Sequence, residues 1–264
     1  MYLFEIKTVQ TSAFKTLIEA LKEILTDTNI EISEQGMKIL ALDSTKTTLV
    51  YLKLEAAKFD YYKCSKTTVA GISMINLFKF IKTASNEDTL SLFIDDALPN
   101  ILQLKFEHND KKMVSTKKLN LIDLNEDDLK IPPAEFDCVI TMPSQDFQKQ
   151  CRDKSIISDV IEIKSVGNKL IFACRGDIGE DETSYGSIGD DANKEGLKFN
   201  KVSDPSRVIQ GYYKLKYLTM FSKCTSLCAN IEICMKNDYP IIITYSVGNL
   251  GKLRLALAPK KGED

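Results

Sequence analysis

LNLIDLNEDDLKIPPAEF, residues 119–136, decides how the chain divides: it is acidic, carries a diproline near its end, and separates two stretches of similar length and pattern. The composition is that of a connector rather than of a strand or helix. Upstream, residues 2–9 alternate as a strand, and Ser12 precedes Phe14, Leu17, Ile18, Leu21, Ile24 and Leu25 at helical spacing. Short alternating runs over 30–33, 37–43 and 49–54, with a turn at Glu34-Gln35-Gly36, predict an antiparallel meander after that helix. The order then recurs over 66–106, with a strand at 66–71, a helix whose apolar face carries Ile75, Phe78 and Ile81, and strands near 88–94 and 101–107.

Downstream of the connector the same pattern returns. Phe136 answers to Phe4 at the first strand, and Ser144 to Phe147, with Pro143 at a favourable helix start, answers to Ser12-Ala13-Phe14. Ile30-Glu31-Ile32 with Gly36 is matched in identity and spacing by Ile161-Glu162-Ile163 with Gly167. A helix over 215–223 answers to 74–82, and YPIIITY (239–245) to LPNILQLKF (98–106). Correspondences in this order predict a tandem duplication. The fold class is α+β, with two similar domains, each of two strand-helix-three-strand units: an N-terminal domain over 1–118, a connecting loop over 119–135 and a C-terminal domain over 136–264. Two stretches fall outside the pattern. IGEDETSYGSIGDDANKEG (178–196) is expected to be a poorly ordered hairpin or loop, and 260–264 a frayed tail.

A chain of 264 residues buries a substantial core. No apolar run approaches the roughly 20 residues that cross a bilayer, so a soluble protein with no membrane partner is expected. MYLFEIKTVQ at the start reads as a strand and not as a signal peptide. The seven cysteines (Cys64, Cys138, Cys151, Cys174, Cys224, Cys228, Cys234) include no CxxC and lie in apolar segments, which points to buried thiols in a reducing, intracellular compartment. His108 is the sole histidine; it has no companion for a triad or a multi-histidine metal site and is expected at the surface. No GxxxxGK[ST] loop is present, Cys224, Cys228 and Cys234 lack a fourth zinc ligand, and Glu126-Asp127-Asp128 lacks the spacing of a calcium loop. No catalytic constellation, metal site or cofactor site follows, and the expectation is a binding protein without enzymatic activity.

What the chain offers instead is an asymmetry on its helices. The net charge is −2, yet the first helix carries Lys15 and Lys22 opposite its apolar stripe, the second Lys79 and Lys82, the third Lys149 and Arg152, and the fourth Lys216 and Lys223. Any one pair is ordinary helix surface. Four equivalent helices of one sign imply a basic lining that holds a polyanion through its phosphates without reading bases.

EALK (19–22), LDS (42–44) followed by LV (49–50), FDYYKC (59–64), NED (86–88), LIDLNEDDLKIPP (121–133), MPS (142–144) with CRD (151–153), and LAPK (257–260) are shared, in order, with one family. Over essentially its whole length the chain resembles the sliding clamps of the proliferating cell nuclear antigen (PCNA) type, eukaryotic or from large DNA viruses. The resemblance implies the DNA clamp fold, a ring-shaped homotrimer with helices on the inner face and antiparallel sheets outside. Such a ring encircles double-stranded DNA whatever its sequence, as a processivity factor for DNA polymerase. It also engages a clamp loader and other replication and repair proteins bearing a PCNA-interacting motif, in the nucleus or a viral replication compartment.

Lys15, Lys22, Lys79, Lys82, Arg152 and Lys223 fall where the family carries DNA-facing cations; Lys149 and Lys216 are added from spacing alone. The family's partner pocket, an apolar cleft, would comprise Leu42, Leu49, Leu129, Ile131, Pro132, Pro240, Ala256, Leu257, Ala258 and Pro259, with Lys46 at its rim. Residues 121–128 would then be a solvated tether. At the subunit boundary, the strand with Met113, Val114, Ser115, Thr116 and Lys117 would pair with the one holding Ser184, Tyr185 and Ser187. Departures from the family pattern carry their own expectations. Leu255 and Ala256 stand where aromatic residues are common, which widens the pocket, and Lys46 replaces a frequent histidine. Gly167, with Lys164 and Lys169 nearby, occupies the place of a modifiable lysine. The glycine-interrupted 183–188 edge leaves open a heterotrimer subunit or a monomeric processivity factor.

Overall fold

The computed structural model describes residues 2–108, 112–125, 129–186 and 196–260, and the chain separates into two compact units, Met1–Lys130 with Ser246–Leu253, and Ile131–Tyr245 with the residues from Arg254 on. The first unit runs β1 (Tyr2–Thr8), α1 (Thr11–Ile24), β2 (Asp27–Ser33), β3 (Gly36–Leu42), β4 (Thr48–Glu55), a 3-10 turn (Ala56–Lys58), β5 (Tyr61–Cys64), β6 (Thr68–Ser73), α2 (Met74–Ile81), β7 (Thr89–Asp95), β8 (Leu98–His108) and β9 (Met113–Asn120). The second follows with β10 (Cys138–Pro143), α3 (Ser144–Lys154), β11 (Val160–Val166), β12 (Lys169–Gly176), β13 (Gly179–Gly186), β14 (Lys198–Val202), β15 (Ile209–Lys214), α4 (Leu215–Phe221), a 3-10 turn (Ser222–Leu227), β16 (Asn230–Met235), β17 (Ile241–Val247) and β18 (Gly251–Leu257). Among the described residues no helix is long and apolar enough to cross a membrane.

Pairing repeats the chain order. In the first unit β5-β1-β7-β8-β9 form one run and β4-β3-β2-β6 another; in the second, β14-β10-β16-β17-β18 and β13-β12-β11-β15 correspond to them strand for strand. Each helix buries one stripe. On α1 the buried residues are Thr11, Phe14, Leu17, Ile18, Ala20, Leu21 and Ile24, and on α3 they include Phe147, Cys151 and Lys154. α1 packs on α2, and α3 on α4. All seven cysteines are free thiols, five of them buried.

Several expectations shift. The buried face of α2 is Met74, Leu77 and Ile81, while Ile75 is exposed and Phe78 only half-buried: the helix begins where expected, but residues 74, 77 and 81, at spacings of three and four, form the stripe that packs. Phe136 precedes β10 and packs edge-on against Tyr239 at 5.8 Å; the buried counterpart of Phe4 is Cys138. The stretch expected to be poorly ordered is instead regular up to Gly186, since β13 pairs with β12 from Gly176↔Gly179 to Lys169↔Gly186. The remainder of that loop, 187–195, and the tail 261–264 lie outside the described residues. Residues 121–125 are largely solvated but not a loose tether: Leu121 N donates to Asn100 O and Ile122 N to Gly71 O, both at 2.9 Å, and Gly71 permits this because a Cβ there would stand 2.1 Å from Ile122 O. Glu126, Asp127 and Asp128 lie outside the described residues.

His108 is not a surface residue either. Its side chain is 17% exposed, and Nδ1 lies 2.7 Å from Oδ1 of buried Asp88. Asp88 in turn accepts from Ser85 N, and its carbonyl accepts from the Thr11 hydroxyl, so the histidine fastens the end of β8 to the turn after α2.

The shared IEI-x3-G spacing hides a difference in turn register. Gly36 opens β3 after the Glu34-Gln35 turn with φ +140°, and a Cβ there would meet Leu54 O at 1.9 Å; Gly167 lies inside its turn with φ +56°, where a Cβ would meet only Pro205 O, at an unstrained 3.8 Å. Gly36→Ala is therefore expected to cost about 2 kcal/mol or more, from combined strain and collision, against about 1 kcal/mol for Gly167→Ala, where only the left-handed backbone is penalised. Urea denaturation of the two variants measures the gap, and equal losses would contradict it.

Candidate functional site

The helix cations divide into held and open ones. Lys15 Nζ donates to Ala84 O at 3.1 Å, just beyond the end of α2. Lys22 pairs with Glu23 and lies over the Phe78 ring at 4.7 Å, with a side chain only 20% exposed. Lys79 reaches Asn76 Oδ1 at 3.2 Å on exposed surface, and Lys82 is exposed just past the end of α2. In the second unit Lys149 is exposed, Arg152 is 69% exposed beside Asp153, and Lys216 is exposed with its ammonium 5.9 Å from the Tyr217 ring. Lys223 is exposed but stands in the 3-10 turn after α4 rather than on the helix, which ends at Phe221. Each unit thus presents cations from a packed pair of helices, on the side that the apolar stripe leaves in water.

Among the strands that end a sheet are β9 in the first unit and β13 in the second, each paired along one side only. On β9, Met113, Val114, Thr116 and Lys118 are exposed, and Ser115 lies 3.5 Å from His108 Nε2. Lys117 turns inward: its ammonium donates to Phe80 O at 3.1 Å and to Thr83 Oγ1, and lies against the Phe80 and Phe106 rings, where burial lowers its pKa. On β13, Ser184 is exposed, while Tyr185 packs edge-on against Phe172 at 5.9 Å and takes a 2.7 Å hydrogen bond from Gln150, burial raising its pKa. Two of the residues expected to face a neighbour therefore bind their own unit, which leaves the backbone edges as the free pairing groups. Ser187 lies outside the described residues.

A recess of about 550 Å³ in the first unit brings together Leu42 and Leu129, two of the residues assigned to the partner pocket, with Leu40, Ala41, Val69 and Leu124. Its lining is mixed rather than wholly apolar. Asp27, Asn29, Glu31, Lys38 and Asn125 also line it, and Lys38 pairs with Glu31 at 2.9 Å. Leu49 stands opposite Leu42 in the β3–β4 ladder, and Lys46 lies in the turn between those strands with φ +55°.

Residues 3–129 match the family profile of the proliferating cell nuclear antigen N-terminal domain, and residues 130–260 that of its C-terminal domain. The chain belongs to the proliferating cell nuclear antigen family. It is 33% identical over 261 residues to a protein named probable DNA polymerase sliding clamp 1 from Paramecium bursaria Chlorella virus 1, covering 97% of each chain. It is 31% identical to proliferating cell nuclear antigen of Chaetomium thermophilum, over 99% of this chain and 100% of that protein, and 30% identical to that of Caenorhabditis elegans, over 99% and 98%.

The remaining PCNA-type pocket positions lie in the second unit. Ile131 is 47% exposed, Pro132 and Ala258 are exposed, and Pro240, Ala256 and Pro259 are half-buried. Leu257 departs from its assignment, being fully buried with its neighbour Leu255, because alternation along β18 turns both into the core. Lys260 N donates to Tyr212 O at 2.7 Å, so the segment after β18 follows the edge of β15. Sequence reasoning missed Lys154, which is fully buried and bonded to Asp181 and Thr183; its place after Phe147 and Cys151, at apolar-stripe spacing, was the signal that marked it.

It missed Asp43 as well. This carboxylate, 7% exposed, accepts from the backbone N–H groups of Thr45, Thr47 and Thr48 and from the Thr45 hydroxyl, and so shapes the turn that carries Lys46. Burial alone would raise its pKa, but these bonds outweigh burial and hold it below the usual carboxylate value. Removing the acceptors by Asp43→Ala is expected to cost about 1–3 kcal/mol at neutral pH. Because the folded-state pKa is the depressed one, the contribution is complete above the unfolded value of about 3.9 and disappears as pH falls through the folded one. Denaturation of both proteins at pH 7 and near pH 3 checks this, and a penalty undiminished at pH 3 would refute it.

Proposed function

We propose that this chain is a DNA sliding clamp, a polymerase processivity factor with no enzymatic activity of its own. It works as a homotrimeric ring that encircles duplex DNA and tethers replication and repair proteins, acting in the nucleus or, in a viral setting, in the replication compartment. The observation that carries the reading is the repeated helix pair. In a chain of net charge −2, each unit keeps cations on the solvent side of its helices: Lys79 and Lys82 in one, Lys149, Arg152 and Lys216 in the other. Lys15, Lys22 and Lys223 are assigned to the same surface, with Lys15 and Lys22 as the more constrained members. Loose phosphate contacts of this kind hold DNA without fixing a register, so the ring slides while remaining topologically linked.

Assembly is assigned to the two open edges. β9 exposes Lys118, and β13 exposes Glu180 and Glu182, so the β9 edge of one copy meets a β13 edge of opposite charge on the next. Complementary edges on one chain favour self-assembly over a heterotrimer subunit or a monomeric factor. The domain boundaries proposed are 1–118 and 136–264, joined by 119–135. Partner capture is assigned to Leu42, Lys46, Leu49, Leu129, Ile131, Pro132, Pro240, Ala256, Ala258 and Pro259, with Leu257 supporting them from the core. The mixed lining of the recess beside Leu129 adds a polar rim at which partner segments are sorted by charge.

Combined charge reversal at Lys79, Lys82 and Lys149 is expected to shorten retention on closed circular DNA after loading. The salt slope should fall by about 0.9 for each phosphate that is no longer neutralised, and stability should change by no more than about 0.5 kcal/mol per site. Unaltered retention, or a purified chain that sediments as a monomer at micromolar concentration, would overturn the reading. Leu129→Ala with Ile131→Ala is expected to weaken a peptide bearing one aliphatic and two aromatic anchors by at least about 2 kcal/mol. The oligomer should survive that change; unfolding instead would return both residues to the core.

A further inference from the structure

Among the described residues Lys154 is the only lysine or arginine that is fully buried. It closes α3, one turn beyond Gln150, on the stripe that also buries Phe147 and Cys151. Its ammonium lies 3.0 Å from Asp181 Oδ2 and 3.1 Å from Thr183 Oγ1, and Gln150 reaches Tyr185 OH at 2.7 Å. Asp181, Thr183 and Tyr185 alternate along β13, so they share one face of the strand, and α3 grips all three from a single helical turn.

Beyond its ladder to β12 and the packing of Tyr185 on Phe172, little else holds the side of β13 that faces α3. GEDETSYG contains no aliphatic residue, both its bounding glycines have positive φ (+148° and +152°), and its ladder runs to β12 alone. An ordinary edge strand is oriented by burying alternate apolar side chains; here Tyr185 alone does so, and polar contacts to α3 take the place of the other two. A buried ammonium is tolerated only while its partners stay in place, which makes the contact a constraint on Asp181 and Thr183 as much as on Lys154.

We propose that Lys154 is a positioning residue for self-association, holding β13 against α3 so that the strand's outer edge is straight and open to β9 of a second copy of the chain. The inference rests on the ring-forming reading above. With an apolar residue at 154 the helix face would remain filled, but Asp181 and Thr183 would lose their partner and turn to water, and the edge would lose its alignment.

The test uses the full chain carrying Lys154→Met, with sedimentation over a concentration series and hydrogen exchange resolved along the sequence. The midpoint of assembly is expected to move to a concentration roughly tenfold higher or more. Exchange should quicken across 179–186 while β12 and β10 keep their protection and unfolding remains cooperative. The triple change Lys154→Met, Asp181→Leu, Thr183→Val replaces the polar grip by an apolar one and is expected to restore assembly. If Lys154→Met does not fold, Asp181→Asn serves as the milder variant, with the same direction of change. A folded Lys154→Met protein that assembles like the wild type, or whose exchange rises everywhere equally, overturns the inference alone. A wild-type chain that never assembles overturns the ring-forming reading and this inference with it.

Discussion

Each helix in this chain must bury one stripe and leaves the opposite side in water, and the rest of the structure follows from how the two sides are used. Phe14, Leu17, Ile18 and Leu21 on α1, and Phe147 and Cys151 on α3, seat the helices against their units, and the helices pack in pairs. The dry stripe determines which residues remain on the wet side, and those include the cations. Because long cationic side chains can lay their stems along apolar surface, a helix side can be basic without being uniformly open: Lys22 lies over Phe78, whereas Lys82 and Lys149 stand free of such cover. The basic side of the helices therefore has a part held by its own contacts and a part left open to water.

The sheets meet the complementary problem at their ends. β9 and β13 each leave a row of backbone groups unpaired, which in an unprotected strand invites indiscriminate pairing. Both are restrained from behind by a lysine, in opposite senses. Lys117 reaches from β9 to the Phe80 carbonyl of α2 and the Thr83 hydroxyl beyond it, and Lys154 reaches from the end of α3 to β13. Neither is a surface ion pair of small worth; the first is sheltered by two aromatic rings and the second is wholly buried. The edges are thus held from behind while each pairs along one side only.

The connector shows how a flexible-looking segment is tied down by backbone chemistry. Gly71 has no side chain, so Ile122 can approach β6 closely enough to exchange a hydrogen bond, and Asn29 reaches toward Asn125 at 3.5 Å. These contacts bring Leu124, Asn125 and Leu129 to the recess lined by Leu42. The recess keeps a charged lining because Glu31 and Lys38 lie opposite each other on β2 and β3 and satisfy one another at the surface.

The duplication, the four strand-helix-three-strand units, the stripe on α1 and the cation on every helix or its end were legible in the chain, because periodicity and composition are local properties that a linear sequence records. What local pattern could not specify was which face of an element turns inward and how each residue sits in its turn or strand. The α2 face moved from Ile75 and Phe78 to Met74 and Leu77, Gly36 and Gly167 took different places in their turns, and Phe136 fell outside its strand. Nor could it foresee partners brought from far along the chain. His108 finds Asp88, Asp43 gathers the N–H groups of its own turn, and Lys154, one charged residue among many in the sequence, becomes buried once Asp181 and Thr183 lie across it. A sequence shows which side chains carry charge, whereas the cost or benefit of that charge depends on water and partners, and only the tertiary structure decides how much of either remains.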